Sequence, residues 1–197
     1  VLAMMNVRFL VSRRRLESER LQGSPFVFRE DIPGFSVYEN PSALDRFWLV
    51  GRVQPARSEA EALAMLRSRN FRPAEVAIVE GAVDLPPGPA AGVVRIRRYG
   101  LKEVELEVET PRAQFLASSE SHYPGWRAWI DGRAQRIHYT NLAFRGLVVP
   151  AGRHTVRMEF VPALLGWSAA VSAAAWLLWA GLLWRTARHR PVAPGQP

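Results

Sequence analysis

The chain has 197 residues, 26 basic (Lys and Arg) and 18 acidic, for a formal net charge of +8. At 48% hydrophobic residues it can bury a core, which excludes a disordered chain. With no cysteine it has no disulfide framework, thiolate metal site or cysteine nucleophile. Mean hydropathy is −0.08, which excludes a polytopic membrane protein over this stretch as a whole.

The basic excess is almost wholly arginine; Lys102 is the only lysine. The arginines are scattered among acids, with no basic stripe interleaved with aromatics, so no nucleic-acid partner is expected. The chain opens Val1-Leu2-Ala3 without an initiator Met or a signal-peptide pattern. The expectation is the C-terminal piece of a longer protein.

In chain order, the pattern predicts strands over residues 6–12, 35–38 and 48–53. Ser58 then opens a helix. Ser58 and Glu61 make a capping-box pattern, Ala62, Leu63 and Leu66 an apolar stripe, and the helix is predicted to end near Asn70. Residues 76–79 read as a short buried strand. Residues 84–92, with Pro86, Pro87, Gly88 and Pro89, read as a loop or linker.

Residues 103–109 alternate: Val104, Leu106 and Val108 point one way and four glutamates the other, a half-buried strand with a wet outer face. Strands are predicted over 114–118, 126–130, 144–149 and 154–160. In the last, Val156, Met158 and Phe160 face inward. Turn signals at Pro124-Gly125, Asp131-Gly132 and Ala151-Gly152 separate them, and Asp-Gly between two strands marks a hairpin.

The fold class expected is mainly β with a small α/β portion: an antiparallel, jelly-roll-like β-sandwich followed by one C-terminal transmembrane helix. The divisions are 1–91 (mixed α/β), 92–161 (sandwich), 162–185 (transmembrane helix) and 186–197 (cytoplasmic tail). The first two form either one domain or two.

The span rests on a run without charge. Between Glu159 and Arg185 the sequence reads FVPALLGWSAAVSAAAWLLWAGLLW, and a membrane helix needs about 20 apolar residues. Trp167 and Trp184 lie near its ends, where indole rings favour the headgroup level. Arg185, Arg188 and Arg190 follow and mark the cytoplasmic side, so residues before the span are expected outside the cytoplasm. Gly166, Ala170 and Ala174 recur every four residues, a spacing that lets another helix approach closely. The last strand meets the span with almost no linker, so the domain is expected close to the membrane with restricted orientation.

The densest constellation runs from Ser121 to Gly132: SHYPGWRAWIDG. Asn141 to Gly146 (NLAFRG), Val149 to His154 (VPAGRH) and Phe160-Val161-Pro162 follow it. In this order the series resembles the C-terminal region of the bacterial membrane proteins called YfhO: YPGW-x-A-x-(I/V)-DG, N-x-x-F-RG, VPAG-x-H-x-V, then F-x-P before the last membrane helix. The stretch from Leu2 to Ser12 is similar to that family's LNVRY-like strand, with Phe9 in place of Tyr. Val37 to Asn40 and Arg46 to Trp48 resemble its VYEN and R-x-(F/W) segments. The resemblance covers nearly all of the chain.

It implies a part of a polytopic glycosyltransferase that uses polyprenyl-phosphate sugars and acts on cell-envelope polymers. The acidic catalytic residues of such enzymes are expected in early extracytoplasmic loops, so no catalytic residue is carried over to this chain. The partners implied are membrane lipid, other transmembrane helices of the same longer protein, and a polyprenyl-linked sugar or cell-wall glycopolymer. The different reading is a single-span anchored carbohydrate-binding or protein-interaction module without catalysis.

Read from the residues, the constellation is a folding hairpin whose aromatics fill the sandwich, with Trp126 and Ile130 on one face and Arg127 and Trp129 on the other. The functional alternative is a glycan platform of Tyr123, Trp129, Asp131 and Asn141. Aromatic rings stack on sugar C–H edges, and carboxylate or amide groups bond hydroxyls. His122, His138, His154 and His189 lack metal spacing and read as lone surface histidines. Asp31, Glu39 and Asp131 are the acids from which a carboxylate pair would have to come. No cofactor is expected.

Overall fold

The structure is a computed structural model that describes residues 2–162 and 165–188. It is mainly β. Its elements in order are β1 (Phe9–Ser12), α1 (Ser18–Leu21), β2 (Val27–Ile32), β3 (Phe35–Glu39), β4 (Phe47–Val50), β5 (Arg52–Ala56) and α2 (Glu59–Arg67). There follow β6 (Val76–Glu80), β7 (Val93–Tyr99), β8 (Glu103–Thr110), β9 (Gln114–Ser121), β10 (Trp126–Ile130) and β11 (Arg133–Gln135). The last are β12 (His138–Thr140), β13 (Phe144–Val149), β14 (Gly152–Phe160) and α3 (Leu165–Arg188).

Three sheets result. A small antiparallel sheet has the order β1-β3-β2. A five-stranded antiparallel sheet has the order β11-β10-β14-β8-β7. A six-stranded sheet has the order β4-β9-β13-β12-β6-β5, antiparallel except for the parallel pair β5–β6. That pair is joined through α2, which makes it the α/β portion. Pro55 lies in β5, at the sheet edge, where a missing N–H costs no ladder bond.

The six-stranded sheet is buried on both faces. In β4, Phe47 and Leu49 pack toward the five-stranded sheet, while Trp48 and Val50 join a second cluster with Ala62 and Leu66 of α2. In β9, Leu116 faces the first cluster and Phe115 and Ala117 the second. Two-sided burial explains why FWLV is a continuous apolar run instead of an alternating one. The two larger sheets make the sandwich, and residues before position 92 supply β4, β5 and β6 to it. The chain up to Val161 is one compact unit, and Pro162 onward is a second.

Several expectations change in detail. Asn6 adopts φ 58° and donates its side-chain amide to the Leu44 carbonyl at 2.6 Å, so the first strand starts at Phe9. The strand predicted over 48–53 divides at Gly51 into β4 and β5. Ser58 caps α2 by accepting the Glu61 N–H at 3.2 Å, while Glu61 reaches back to the Arg57 N–H at 2.8 Å. The helix ends at Arg67, since Ser68 is already extended.

The stretch 84–92 is irregular but pinned. Gln114, fully buried, accepts the Ala91 N–H at 3.0 Å, and the Gly88 N–H bonds the Gly51 carbonyl at 3.0 Å. Strands β2, β7, β11 and β12 were not predicted. The wet face of β8 is also corrected: Glu107 is only 8% exposed, covered by Arg95, Arg97 and Arg153 from its two neighbouring strands.

The second unit is the helix α3. Its stretch Gly166–Arg185 is 20 residues long, has mean hydropathy 1.4 and is buried nowhere, so it is long and apolar enough to cross a membrane. Strand β14 takes Phe160 out of the apolar run, and Pro162 precedes the helix. Residues 163–164 and the tail from 189, including His189, lie outside the described residues.

Candidate functional site

The Ser121–Gly132 constellation folds as a loop, the strand β10 and a tight turn into β11. Gly125 has φ 113°, and a Cβ there would lie 2.8 Å from the Val161 carbonyl oxygen and 2.9 Å from the Phe160 ring. Only glycine fits both constraints. At the other end Asp131 (φ 48°) and Gly132 (φ 80°) form the two-residue left-handed turn that Asp-Gly signals.

The four candidate glycan contacts do not converge. Tyr123 is 64% exposed and tilts against Phe160 with ring centroids 6.1 Å apart. Trp129 is half-buried on the outer face of the five-stranded sheet, opposite Arg157, whose guanidinium carbon is 5.9 Å from its ring centre. Asp131 lies beyond the far end of β10 from Tyr123 and is already engaged. Its carboxylate is 2.6 Å from His154 Nδ1 and accepts the Thr155 N–H at 2.8 Å. These contacts, the His154 bond foremost, hold the Asp131 carboxyl below its ordinary pKa, and they raise that of His154.

Asn141 belongs to the other sheet and is corrected. It is 2% exposed, with φ 50°; its Oδ1 accepts the Ile78 N–H at 2.9 Å, and its own N–H donates to the Ile78 carbonyl at 2.7 Å. The residue extends the β6–β12 ladder with its side chain and presents nothing to a glycan.

The polar centre that residue patterns did not disclose is Arg145. It sits on β13 where the β9–β13 register slips, and it is 1% exposed. Its guanidinium donates to the Ser121 carbonyl at 2.8 Å and lies 3.4 Å from Glu120. The same guanidinium stacks 3.7 Å from the centre of the Trp126 ring, and its Nε is buried without a hydrogen-bond partner.

Glu120 also accepts from Arg46 at 2.7 Å and from the Tyr99 hydroxyl at 2.7 Å. Tyr99 and Trp126 come from the five-stranded sheet; Arg46 leads into β4, and Glu120 and Arg145 belong to the six-stranded sheet. The cluster therefore clasps one end of the sandwich. The one available signal was the Arg-Gly pair at 145–146. A Cβ on Gly146 would lie 2.8 Å from the Leu116 carbonyl and also strike the Phe115 ring, so this strand position admits only glycine.

The clasp is electrostatically settled. Burial acts most on Glu120 and pushes its pKa up, but the bonds from Arg46 and Tyr99 and the charge of Arg145 outweigh it, leaving a net depression. Burial first, and the bond to Glu120 second, raise the Tyr99 hydroxyl. Burial lowers Arg145, with Glu120 opposing. The depressed pKa keeps Glu120 ionised, with no proton to give and a weakened tendency to accept one, while its bonds hold Arg46, Tyr99 and Arg145 together.

The described histidines are half-buried, and each has a partner. His122 packs edge-on against Tyr139 at 4.8 Å, His138 lies 6.0 Å from the Phe115 ring, and His154 is held by Asp131. Burial lowers the pKa of His122 and of His138. The carboxylates are dispersed as well: Asp31 accepts from Ser36 at 2.6 Å, Glu39 pairs with Arg29, and Asp131 holds its hairpin. Among the described residues no group of three or more His, Cys, Asp or Glu is placed to hold a metal ion.

A cleft of about 250 Å³ opens where α2 begins, lined by Ser58, Glu59, Glu80 and Tyr139 over Ile78 and Leu142. It falls below the roughly 300–1,000 Å³ of ordinary ligand pockets. No protein-family model, curated protein or solved structure matches the chain.

Proposed function

We propose that this chain is the C-terminal accessory region of a YfhO-like polytopic membrane protein, a polyprenyl-phosphate-sugar-dependent glycosyltransferase acting on cell-envelope polymers, with its catalytic residues outside this chain. One observation carries the reading. The residues that make the resemblance fall, in the family's order, on positions where this sandwich admits few substitutes. Gly125, Asp131, Gly132, Asn141, Arg145 and Gly146 each close a turn, bridge strands or clasp the sheets. Residues occupied in turns, strand bridges and the clasp fit a brace or acceptor-positioning module better than a catalytic centre.

In this reading α3 is the last membrane span, the β domain is extracytoplasmic and the C-terminus is cytoplasmic, as the arginines from Arg185 onward indicate. Membrane lipid and neighbouring helices of the same protein are its partners, the latter through the Gly166, Ala170 and Ala174 stripe. A polyprenyl-linked sugar or cell-wall glycopolymer is the ligand class. The alternative, a single-span anchored binding module, is favoured by the exposed ring of Tyr123 and the half-buried ring of Trp129.

The deciding experiment is to read the coding sequence upstream of Val1. Many long apolar segments, with acidic residues in an early extracytoplasmic loop, support the transferase. A start codon or signal peptide immediately upstream ends that reading and leaves the anchored module.

A further inference from the structure

We infer that the loops at the clasped end of the sandwich, led by Leu101 and Tyr123, insert into the headgroup region of the lipid bilayer. The inference rests on the membrane-anchored reading and goes beyond it by naming the surface that meets lipid.

Leu101 is 99% exposed, on the turn between β7 and β8. Isolated exposed leucines are ordinary on protein surfaces. This one differs because its turn is fixed on both sides. The Gly100 N–H bonds the Glu103 carbonyl at 2.8 Å, the Phe160 N–H bonds the Lys102 carbonyl at 2.8 Å, and the Tyr99 hydroxyl is held by Glu120. The leucine is thus presented by a hairpin held in place by these bonds.

Beside it lies the Tyr123-Pro124-Gly125 loop. Gly125 accepts the Val161 N–H at 2.8 Å, and Tyr123 and Trp126 both pack on Phe160. A bare leucine, a lysine with a long apolar stem and an amphipathic tyrosine are the side chains that favour the water–lipid boundary. Lys102, the chain's only lysine, is exposed next to Leu101.

The chain itself selects lipid over a protein partner. It leaves these loops at Val161, and the apolar helix begins at Leu165, four residues later. Four residues reach at most about 14 Å. Val161, which bonds the Gly125 carbonyl in these loops, is therefore tied within that distance of Leu165. The opposite end, at the Ala151-Gly152 turn, is separated from it by the length of β14.

The absence of cysteine allows a direct test on the full chain. Leu101→Cys, Tyr123→Cys and the opposite-end control Ala151→Cys each carry one environment-sensitive fluorophore after reconstitution into phosphatidylcholine–phosphatidylglycerol vesicles. All three positions are exposed, so the substitutions leave the core untouched. Flotation with the vesicles is measured on the same samples. The expected result is flotation of all three, with labels at 101 and 123 quenched several-fold more by headgroup-borne nitroxide than the label at 151. Flotation with equal quenching at 101, 123 and 151 overturns the inference and leaves the anchor intact. Failure to float overturns the anchored reading and this inference together.

Discussion

The guanidinium of Arg145 stacks 3.7 Å from the centre of the Trp126 ring, and this contact crosses from one sheet of the sandwich to the other. The arginine supplies an apolar face to the indole and a charge to Glu120. Core packing and electrostatics are therefore carried by the same side chain.

Removing one partner of a buried ion pair costs about 3–5 kcal/mol. Arg46 remains on Glu120, so Arg145→Met is expected at the lower end, about 3 kcal/mol. Denaturant unfolding of the full chain in detergent, followed by tryptophan fluorescence, measures it. Arg145→Lys should rescue little, because an ammonium cannot stack flat on Trp126 while reaching Ser121 and Glu120. A loss under about 1 kcal/mol for both variants would show that the clasp is dispensable.

Gly125 and Gly132 both have positive φ but differ in surroundings. Nothing lies near a Cβ on Gly132, whereas one on Gly125 meets Val161 and Phe160. Gly132→Ala should cost about 1 kcal/mol of backbone strain, and Gly132→Asn less, since asparagine tolerates the left-handed region. Gly125→Ala should cost more, about 2–4 kcal/mol, by adding a clash to the strain. Equal thermal shifts for the two alanine variants would contradict the close approach at Gly125.

The Asp131–His154 pair makes stability depend on pH. His154 is raised above 6.5, chiefly by its bond to Asp131, so its contribution is complete below 6.5 and is lost as pH rises through the raised value. Asp131 is depressed below 3.8, chiefly by His154, so its contribution is present above 3.8 and is lost as pH falls through the depressed value. The difference in thermal midpoint between the parent and Asp131→Asn should therefore shrink as pH rises from about 5 to about 9. A difference independent of pH across that range would mean the pair carries no charge.

For the glycan platform, Trp129 is the residue to test. It is half-buried on an outer sheet face, and Trp129→Ala should leave the fold intact, at a cost of about 1 kcal/mol. If the ring is a stacking surface for saccharide, binding to envelope glycopolymer falls while circular dichroism is unchanged. Equal binding by folded variant and parent removes Trp129 from the site.

The span is tested by charge. An arginine near the middle of a membrane helix costs about 2.5–3.5 kcal/mol on insertion scales. Ala174→Arg together with Leu178→Arg should move the chain from the carbonate-resistant membrane fraction to the extractable one. Retention of the double variant in membranes would mean that α3 is not what holds it there.

Much was legible along the chain. Alternation in β8 and β14 reported the inward faces of Val104, Leu106, Val108, Val156 and Met158, because the residues between them are charged or polar. The Ser58 cap, the Asp-Gly turn and the apolar run before Arg185 act within a few residues, so their chemistry is complete in the sequence. What stayed hidden was set by neighbours. Strand β7 reads as VVRIRRY, mostly exposed, and it pairs only because β8 offers an open edge. Strand β2 is exposed along its whole length and bulges against β3.

Local pattern thus determined the β class, the capped helix, the hairpin and the apolar helix. Only the tertiary structure decided that residues before position 92 complete the sandwich, and that Glu107, Asn141 and Arg145 are buried. A charged or amide side chain is buried only when another element brings it a partner. Arg97 and Arg153 do this for Glu107, Ile78 for Asn141, and Glu120 with Trp126 for Arg145. Those partners lie tens of residues away along the chain in most cases, beyond the reach of any periodicity.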